Sequence, residues 1–591
     1  MADDKPERTI PRAVPSTGTP VAIKRRPEPP AADALPDDLH PLLRRLYGAR
    51  GVRTESGCTL SLKALHGAHA LKDIARAVDL LAEHVRGAGS ILVVGDYDAD
   101  GATGSALAVR GLRSMGAEKV SYLVPSRFAF GYGLSPEVVD AAAPGRPDLI
   151  LTVDNGIASV AGVSRANELG ISVIVTDHHL PGDELPDAAA IVNPNQRGDE
   201  FPSKHLAGVG VVFYLLAALR TELRRQGWFG PTRPVPNLAE LLDLVALGTV
   251  ADVVALDENN RILVEQGLRR IRSGHCCPGV TALLEVAGRD PAQATARDLG
   301  FSAGPRLNAA GRLEDMSLGV ECLLTDDPAR AAAIARQLDG LNRRRREIEG
   351  EMKERAEAML DALRLDGQGL PPALCLFEEG WHQGVIGILA ARIRERYHRP
   401  VIAFAEADGG LLRGSARSID GLHMRDLIDA VDKRNPGLID RFGGHAMAAG
   451  ITLQAGALED FRDAVVAEAR RELGDQPPTP EILSDGELPP DALDLSTAQV
   501  LRGAGPWGKG FPEPLFDGLF QVVDTRVVGD RHLRLRLRAP GGGLIDAIGF
   551  RLAEQARTAA PSVHLAYRLD VNEYRGIRSP QLIVEHLQWT S

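Results

Sequence analysis

Three aspartates at alternate positions follow a short apolar run, and this stretch has the clearest chemical potential in the chain. The run covers residues 90–94, the acids are Asp96, Asp98 and Asp100, and Gly101 comes next. Carboxylates held this close repel one another, and a divalent cation is the simplest counter-charge. The alternative is an acidic turn that caps the following helix, since Asp is a favourable N-cap residue. The stretch alone supports both interpretations equally.

Acids and histidines also follow other apolar runs of the chain. These residues are Asp154, Asp177, His178, His179 and, in an apolar context farther on, Asp252. Singly, each has a structural interpretation as a turn, cap or satisfied histidine. Because the carboxyl ends of parallel strands meet at one edge of a sheet, their shared placement favours a common site.

Carboxylate oxygens combined with imidazole suit Mn²⁺ or Mg²⁺, whereas zinc is better served by cysteine or several histidines. The number of acids is sufficient for two ions that share one carboxylate. Two such ions can activate a water and stabilise the leaving oxygen of an in-line displacement at phosphorus. The sequence therefore predicts phosphodiester hydrolysis.

The elements that must position these residues alternate between strand and helix. Predicted strands at 90–94, 148–153, 171–176 and 188–192 with intervening helices indicate an α/β fold with a parallel, doubly wound sheet. A helical pattern follows over 328–363, interrupted by Gly340 and Gly350, so a kink or two shorter helices remain possible. A second, smaller α/β unit comes next, and five strand patterns near the C-terminus indicate a small barrel of the oligonucleotide-binding (OB) type.

We thus predict five segments. They are a disordered tail (1–45), a first α/β domain (46–325), a connecting helix (326–365), a second α/β domain (366–472) and an all-β OB-like barrel (476–591). The tail is predicted from its polar, proline-rich composition.

Composition excludes several other classes of protein. With 591 residues, 44% hydrophobic and 25% charged, the chain has the profile of a multidomain globular protein. The net charge of −11 argues against a uniformly basic nucleic-acid coat but permits a local basic channel. Five cysteines without CxxC spacing predict reduced thiols and a cytoplasmic location. No apolar run is long enough to predict a membrane span.

Four ordered motifs, at 96–101, 153–156, 177–179 and 251–252, resemble those of the DHH phosphoesterase superfamily. Two more, at 304–312 and 441–445, are similar to its RecJ branch of single-stranded-DNA-specific 5′→3′ exonucleases. The resemblance covers roughly residues 50 to 591. It implies hydrolysis of single-stranded DNA to nucleotide 5′-monophosphates, in repair and recombination, with two Mn²⁺ or Mg²⁺ ions.

The resemblance also implies roles at the metal site. The implied metal ligands are Asp98, Asp100, Asp154, His178 and Asp252. Asp154 would bridge both ions, and Asp96 and Asp177 would be further ligands or supports. His179 would contact the scissile phosphate, which makes Asp154, His178 and His179 the expected catalytic residues. Val94 stands where many superfamily members have a histidine, which implies that one metal site is weaker.

Substrate contacts are implied in the same way. Arg127 and Tyr132 would lie near a narrow entrance that admits one strand. The remaining expected contacts, several of them to a 5′-terminal phosphate, are Arg306, Asn308, Ser415, Arg417, Gly443, Gly444 and His445. Without the resemblance, each arginine would be interpreted as a solvated surface charge.

The expected partners are single-stranded DNA with a 5′ end, a helicase and a single-strand-binding protein, with the enzyme itself a monomer. Two alternatives remain. The first is a phosphodiesterase for short oligoribonucleotides or cyclic dinucleotides, against which the region after residue 476 speaks. The second is a non-catalytic replication scaffold, against which the complete set of motif acids speaks.

Overall fold

We describe the fold from a computed structural model of the chain. The structure describes residues 21–27, 35–126, 130, 132–365, 370–474, 480–556, 561–574 and 576–590, without the side chains of 363–365. Arg127 therefore lies outside the described residues. The chain divides into two compact units. The first comprises Glu28–Glu347 with Ala504–Glu513, and the second comprises Met1–Pro27, Ile348–Gly503 and Pro514–Ser591.

A five-stranded parallel sheet forms the centre of the first unit. In spatial order its strands are Lys119–Leu123, Ser90–Gly95, Leu149–Val153, Ser172–Thr176 and Ala190–Val192. Alternate strand residues belong to two apolar cores on opposite faces, so the predicted doubly wound arrangement is confirmed. The strand Lys119–Leu123 was not predicted, because it buries only Val120 fully and lacks a continuous apolar run.

Helices cover both faces of this sheet and continue beyond it. The α-helices of the first unit before the long helix are Pro41–Ala49, Ser56–Thr59, Ile74–Arg86, Ala99–Ser114, Pro136–Ala142, Val160–Glu168, Gly208–Arg225, Leu242–Ala251, Glu258–Arg272, Pro278–Val286, Ala296–Asp298, Gly304–Leu313 and Ser317–Leu324. Short 3₁₀ turns lie at Leu62–Ala64, Ala68–Ala70, Ala143–Gly145, Leu238–Leu241 and Pro291–Gln293, and Leu299–Ala303 is a π-helical turn. None of the helices that the structure describes is both long and apolar enough to cross a membrane.

The predicted connecting helix is a continuous helix of 38 residues, Pro328–Leu365. Gly340 and Gly350 lie within it, and because the helix continues through both, they do not divide the pattern into separate helices. A Cβ atom added at either position would meet no other atom within 4 Å.

The second α/β domain contains a mixed sheet. Its strands in spatial order are Arg441–Gly444, Ala448–Gln454, Leu411–Arg417, Val401–Ala407 and Leu374–Phe377. Only the pair Leu374–Phe377 and Val401–Ala407 is parallel. The main helices are Ile386–Tyr397, Met424–Arg434 and Leu458–Leu473, with 3₁₀ turns at Asp408–Gly410 and Ala455–Ala457. The predicted α/β class of this domain is confirmed.

The predicted C-terminal barrel is confirmed as a closed five-stranded barrel. Its strands in spatial order are Phe516–Val528, His532–Arg538, Leu544–Gly549, Ile577–Thr590 and Ser562–Tyr574. Leu533, Leu535 and Leu537 point into the barrel, and Arg534, Arg536 and Arg538, which alternate with them, point outward. The helix Leu495–Gly503 and 3₁₀ turns at Pro490–Ala492 and Ala553–Gln555 accompany the barrel.

The prediction of a disordered tail over residues 1–45 is wrong where the structure describes that segment. Ala22–Arg25 forms a strand that pairs in parallel with Glu481–Ser484. The Arg25 guanidinium lies 2.7 Å from the buried Asp517 carboxylate. A polar segment cannot form a core alone, but it can pair with another short strand in a two-stranded sheet and neutralise a buried acid. In addition, the helix Pro41–Ala49 begins before residue 46.

The segment Ala504–Glu513 belongs to the first unit and not to the barrel that follows it. The rings of Trp507 and Phe511 stack with centroids 5.1 Å apart. The buried Arg261 guanidinium lies 3.8 Å from the centroid of Phe511, and the Tyr47 hydroxyl donates to the Ala504 carbonyl. This segment therefore completes the core of the first unit.

Candidate metal centre and substrate contacts

The first acid stretch is both a helix cap and part of a cluster of acids. Asp98 is the N-cap of the helix Ala99–Ser114, and its Oδ1 accepts from the backbone N–H groups of Asp100 and Gly101, at 2.9 and 3.0 Å. A Cβ atom at Gly101 would lie 2.3 Å from the Asp96 carbonyl oxygen, so this tight turn requires glycine. The two interpretations of the sequence are therefore compatible.

Asp100 is completely buried and is held by the start of another helix. Its carboxylate accepts from the N–H groups of Gly208 and Val209, at 2.6 and 2.9 Å. Burial, followed by the charge of Asp98, raises the pKa of Asp100 to about 7. A Cβ atom at Gly208 would lie 2.6 Å from the Asp154 Cβ, so glycine at this position allows the two acids to approach. The sequence reasoning missed Gly208, and the Gly208-Val209-Gly210 spacing was the available signal.

Asp154 lies at the end of the central strand with a left-handed backbone, φ 62°. Such a conformation is unfavourable for a residue other than glycine and often marks functional sites. Asn155 supports the turn, because its amide donates to the Val94 and Val153 carbonyls at 3.0 and 2.9 Å. Burial, together with the charges of Asp100 and Asp98, raises the pKa of Asp154 well above its usual value.

Asp177 is committed to hydrogen bonds within the protein. Its Oδ2 accepts from the Ile157 N–H at 2.9 Å, and its Oδ1 accepts from the His178 N–H and the His179 Nδ1, each at 2.7 Å. Burial would raise the pKa of Asp177, but the interaction with His179 holds it below its usual value. In turn, burial would lower the pKa of His179, but Asp177 raises it to about 9.

Two asparagines fix the backbone of this histidine pair. Asn193 donates to the His179 carbonyl at 2.9 Å, and Asn195 donates to the His178 carbonyl at 2.5 Å. Both follow the strand Ala190–Val192, the fourth strand that we predicted. They were missed, although polar residues after one more strand end were a usable signal.

His178 presents its Nε2 to two acids. The Nε2 lies 3.0 Å from the Asp154 Oδ1 and 3.5 Å from the Asp252 Oδ2. Neither the Nε2 nor the Asp154 Oδ1 makes a hydrogen bond within the described part of the chain, although both are buried. Burial lowers the pKa of His178 to about 4, so the imidazole is neutral near pH 7, as a metal ligand must be.

Three overlapping groups of side chains could each hold a cation, with ligand atoms within 4.8 Å of one another. They are Asp96 with Asp98 and Asp154, Asp100 with His178 and Asp252, and Asp154 with His178 and His179. The groups overlap because two residues are shared. Asp154 belongs to the first and the third group, and His178 belongs to the second and the third. The donors are carboxylate oxygens and imidazole, and two of the buried atoms need a partner. The residues therefore fit Mn²⁺ or Mg²⁺.

Tyr132 lies against this centre, whereas Arg306 and Asn308 have partners inside the protein. The Tyr132 hydroxyl donates to the Asp154 carbonyl at 3.2 Å and lies 3.1 Å from the His179 Nδ1. The buried Arg306 forms a 2.7 Å ion pair with Asp339. Asn308 accepts from the N–H of Ala99 at 2.8 Å and so supports the first acid stretch.

The other expected contacts lie in the second unit. Ser415 and Arg417 share one face of the strand Leu411–Arg417, and the guanidinium donates to the Ser415 Oγ at 3.1 Å. A Cβ atom at Gly387 would lie 2.8 Å from the Ser415 Oγ and 2.9 Å from the Arg417 Nη2. The N-terminus of the helix Ile386–Tyr397 therefore meets both side chains, an arrangement that favours an anion.

The glycine-rich stretch forms a tight hairpin in the same sheet. Gly443 pairs with Gly450, which pairs on its other side with Ser415. The His445 N–H donates to the Ala448 carbonyl at 2.8 Å, and a Cβ atom at Gly444 would lie 2.5 Å from that same oxygen. The predicted contacts of the second unit are therefore brought close to one another.

Family models match three parts of the chain. They are the DHH family N-terminal domain over residues 90–249, the DHHA1 domain over 371–471 and the RecJ OB domain over 484–586. Together with the acid and histidine centre, these matches define a phosphoesterase of the DHH class.

Individual relatives define the family more closely. The single-stranded-DNA-specific exonuclease RecJ of Salmonella typhimurium is 54% identical over 95% of this chain and 98% of the relative. The Bacillus subtilis protein of the same name is 32% identical over 95% of this chain and 70% of the relative. The crystal structure of Thermus thermophilus RecJ with Mn²⁺ matches with a TM-score of 0.74 and 34% identity, over 92% of this chain and 75% of that one. The chain belongs to the RecJ family of single-stranded-DNA-specific exonucleases, which are hydrolases.

Proposed function

We propose that the chain degrades single-stranded DNA in the 5′→3′ direction and releases nucleotide 5′-monophosphates, in DNA repair and recombination. The observation that carries the proposal is the pair of buried, unbonded atoms, Asp154 Oδ1 and His178 Nε2, inside a cluster of acids. Relatives of the same family have been crystallised with Mn²⁺ and with Mg²⁺.

The residues that hold the two ions follow from the side-chain groups. Asp96, Asp98 and Asp154 would hold one ion, and Asp100, His178 and Asp252 would hold the other, with Asp154 placed to serve both. The ions, when bound, supply an activated water and charge stabilisation at phosphorus. Asp177 acts as a support, since its oxygens already accept hydrogen bonds from Ile157, His178 and His179.

His179 and Tyr132 then face the scissile phosphate. At neutral pH His179 carries a positive charge because Asp177 raises its pKa to about 9. A cationic imidazole can donate to a phosphate oxygen and stabilise the charge that develops there. Tyr132, whose hydroxyl lies 3.1 Å from the same ring, holds that imidazole in place.

Replacing Asp177 with Asn should make activity sensitive to alkaline pH. Without the carboxylate, the pKa of His179 falls from about 9 toward its ordinary value of 6.5. The protonated form is then lost as pH rises through 6.5 instead of 9, so we expect a loss of about tenfold or more at pH 8 and a much smaller loss at pH 6. The measurement is kcat/KM on single-stranded DNA from pH 6 to 9. A loss that is the same at every pH would contradict this role of His179.

We further propose that Ser415, Arg417 and the helix that begins at Ile386 bind the 5′-terminal phosphate. Arg417 is half-buried, and burial together with the nearby Arg394 lowers its pKa. No acid within the described part of the chain forms an ion pair with its guanidinium. A phosphate would supply the missing negative charge through paired hydrogen bonds.

Replacing Arg417 with Ala should remove the preference for a 5′-phosphate. Hydrogen bonds to charged groups are worth about 1.5–3 kcal/mol, so we expect kcat/KM on 5′-phosphorylated DNA to fall by about 10- to 100-fold. Activity on the same strand with a 5′-hydroxyl should change little. The control is Arg462→Ala, which removes an arginine paired with Glu459 on a helix of the same domain. Equal losses on both substrates would overturn the assignment.

The direction and substrate are tested with strands labelled at either end. With Mn²⁺, labelled mononucleotide should appear earlier from a 5′-labelled single strand than from a 3′-labelled one. A blunt duplex should resist digestion. Preference for the duplex, or early release from the 3′ end, would reject the proposal. Faster turnover of a dinucleotide than of a long strand would favour the short-oligonucleotide alternative.

The barrel is proposed to bind the incoming single strand. Arg526, Arg534, Arg536 and Arg538 lie on its outer face, and Asp524 and Asp546 pair with two of them. Since duplex is excluded, a helicase is proposed to supply the single strand, and a single-strand-binding protein is proposed to present it. We propose that the enzyme acts as a monomer in the cytoplasm, where its five cysteines, all free, would stay reduced.

A further inference from the structure

Phe301 is an aromatic residue that the fold leaves unburied. Its side chain is 74% exposed, the largest fraction among the large apolar residues that the structure describes. It lies in the π-helical turn Leu299–Ala303, directly before the helix Gly304–Leu313 that carries Asn308. π-helical turns are rare and occur often at functional sites.

This turn packs where a metal-binding acid is presented. A Cβ atom at Gly300 would lie 3.1 Å from the Val250 Cγ1, and one at Gly304 would lie 3.0 Å from the Ala251 Cβ. The next residue along the chain is Asp252. Phe301 is therefore carried by a segment in contact with the helix end that delivers Asp252.

Val253, the residue directly after Asp252, is a second exposed apolar residue without a structural explanation. It is 58% exposed and has a left-handed backbone, φ 60°. A β-branched residue is a clear outlier in this conformation, and glycine or asparagine would be less strained. Because the valine side chain is mostly exposed, the free energy gained by burying it does not offset the backbone strain. Strain of this kind is retained where a side chain contacts a ligand.

Charge beside the Phe301 ring indicates the ligand. The guanidinium carbon of Arg297 lies 5.7 Å from the centroid of that ring, and its Nη1 also forms a 3.3 Å ion pair with Glu513. An exposed aromatic face next to a cation is the surface on which single-stranded nucleic acids stack their bases, because every base has a π-face and every linkage a negative charge. A protein partner would not require proximity to Asp252.

We propose that Phe301 and Val253 form a stacking ledge that binds a nucleobase next to the phosphodiester being cleaved. The inference rests on the proposed function and deepens it. The ledge would hold the strand in register with the metal centre through contacts that do not depend on base identity, as an exonuclease for all sequences requires.

The experiment compares Phe301→Ala and Phe301→Trp on two 5′-phosphorylated single strands, one normal and one with abasic sites near its 5′ end. On the normal strand, Phe301→Ala should raise KM about tenfold with little change in kcat, and the tryptophan variant should stay near wild type. On the abasic strand, the three proteins should have similar KM values. The matched control is Leu169→Ala, which removes another exposed apolar side chain of the same unit.

Val253→Gly provides an independent measurement. Relief of the left-handed strain should raise the melting temperature, while loss of the apolar contact should raise KM on the normal strand only. A purely structural role predicts the first change without the second.

Failure of this inference can be separated from failure of the proposed function. A wild-type enzyme that does not degrade the normal strand rejects the proposed function itself. If the wild-type enzyme degrades the normal strand, two results reject the ledge alone. One is a Phe301→Ala variant whose KM on the normal strand equals that of wild type, and the other is a variant whose KM rises equally on the normal and the abasic strand. Because Phe301 is mostly exposed, its removal opens no cavity, so an unchanged melting temperature should accompany the kinetic effect.

Discussion

Replacing Asp154 with Asn is expected to lower the rate of single-strand degradation by about 10³-fold or more. The same variant is expected to melt at a higher temperature than wild type when both are free of metal at pH 8. Both results follow from one feature, a buried carboxylate with an unbonded oxygen among other acids.

The loss of activity follows from the shared position of Asp154. It belongs to two of the three cation-binding groups, so an amide in its place weakens the binding of both ions. The gain in stability follows from repulsion, because the charges of Asp100, Asp98 and Asp252 all raise the pKa of Asp154. Removing one charge relieves this repulsion only while no cation neutralises it.

Kinetics with Mn²⁺ and thermal melts in EDTA check the two results. Asp183→Asn is the control, because it removes an exposed acid of the same unit. Residual activity within tenfold of wild type would contradict the placement of Asp154 at the centre. A lower melting temperature in EDTA would mean that the carboxylate stabilises the metal-free fold.

Removing the metal is expected to abolish activity and to make stability fall as pH rises. In the metal-free protein the pKa of Asp100 is raised from 3.8 to about 7. Its stabilising contribution is complete below 3.8 and is lost as pH rises through 7. His179, with a pKa raised from 6.5 to about 9, acts in the same direction between those values. His178 has its pKa lowered to about 4, so it contributes no slope above 6.5.

The melting temperature in EDTA should therefore be lower at pH 8.5 than at pH 6.5. Saturating Mn²⁺ should raise it at both values and raise it more at pH 8.5, where protons no longer compete for the carboxylates. An ion at 100 times its dissociation constant stabilises by about 2.7 kcal/mol, which corresponds to an upward shift of about 4 °C for a unit of this size. A Mn²⁺ shift that is larger at pH 6.5 would contradict the raised pKa of Asp100.

The metal centre was predictable from sequence because its main signals are local. An apolar run followed by Asp154, or by Asp177-His178-His179, predicts both a strand and the edge of the sheet at which that strand ends. The placement of Asp98 and Asp100 after the first strand is of the same kind. Parallel topology then brings these ends together, and the structure confirms that proximity.

What sequence could not supply depends on contacts between distant segments. The amides of Gly208 and Val209 hold Asp100, and Asn308 supports Ala99, across more than a hundred residues in each case. The distinction between Asp177 as a ligand and as a support needs its hydrogen bonds. Similarly, the strand Ala22–Arg25 was missed because the strand with which it pairs, Glu481–Ser484, is far away in the sequence.

The segment Ala504–Glu513 has a consequence for the order in which the protein is made. Trp507 and Phe511 complete a core that contains Tyr47 and Arg261, and the Leu256 N–H, close to Asp252, donates to the Lys509 carbonyl at 2.7 Å. A ribosome synthesises this segment only after the whole second α/β domain. The nuclease unit therefore stays unfinished until late in translation, so a chain that ends early lacks part of the support for its own metal centre.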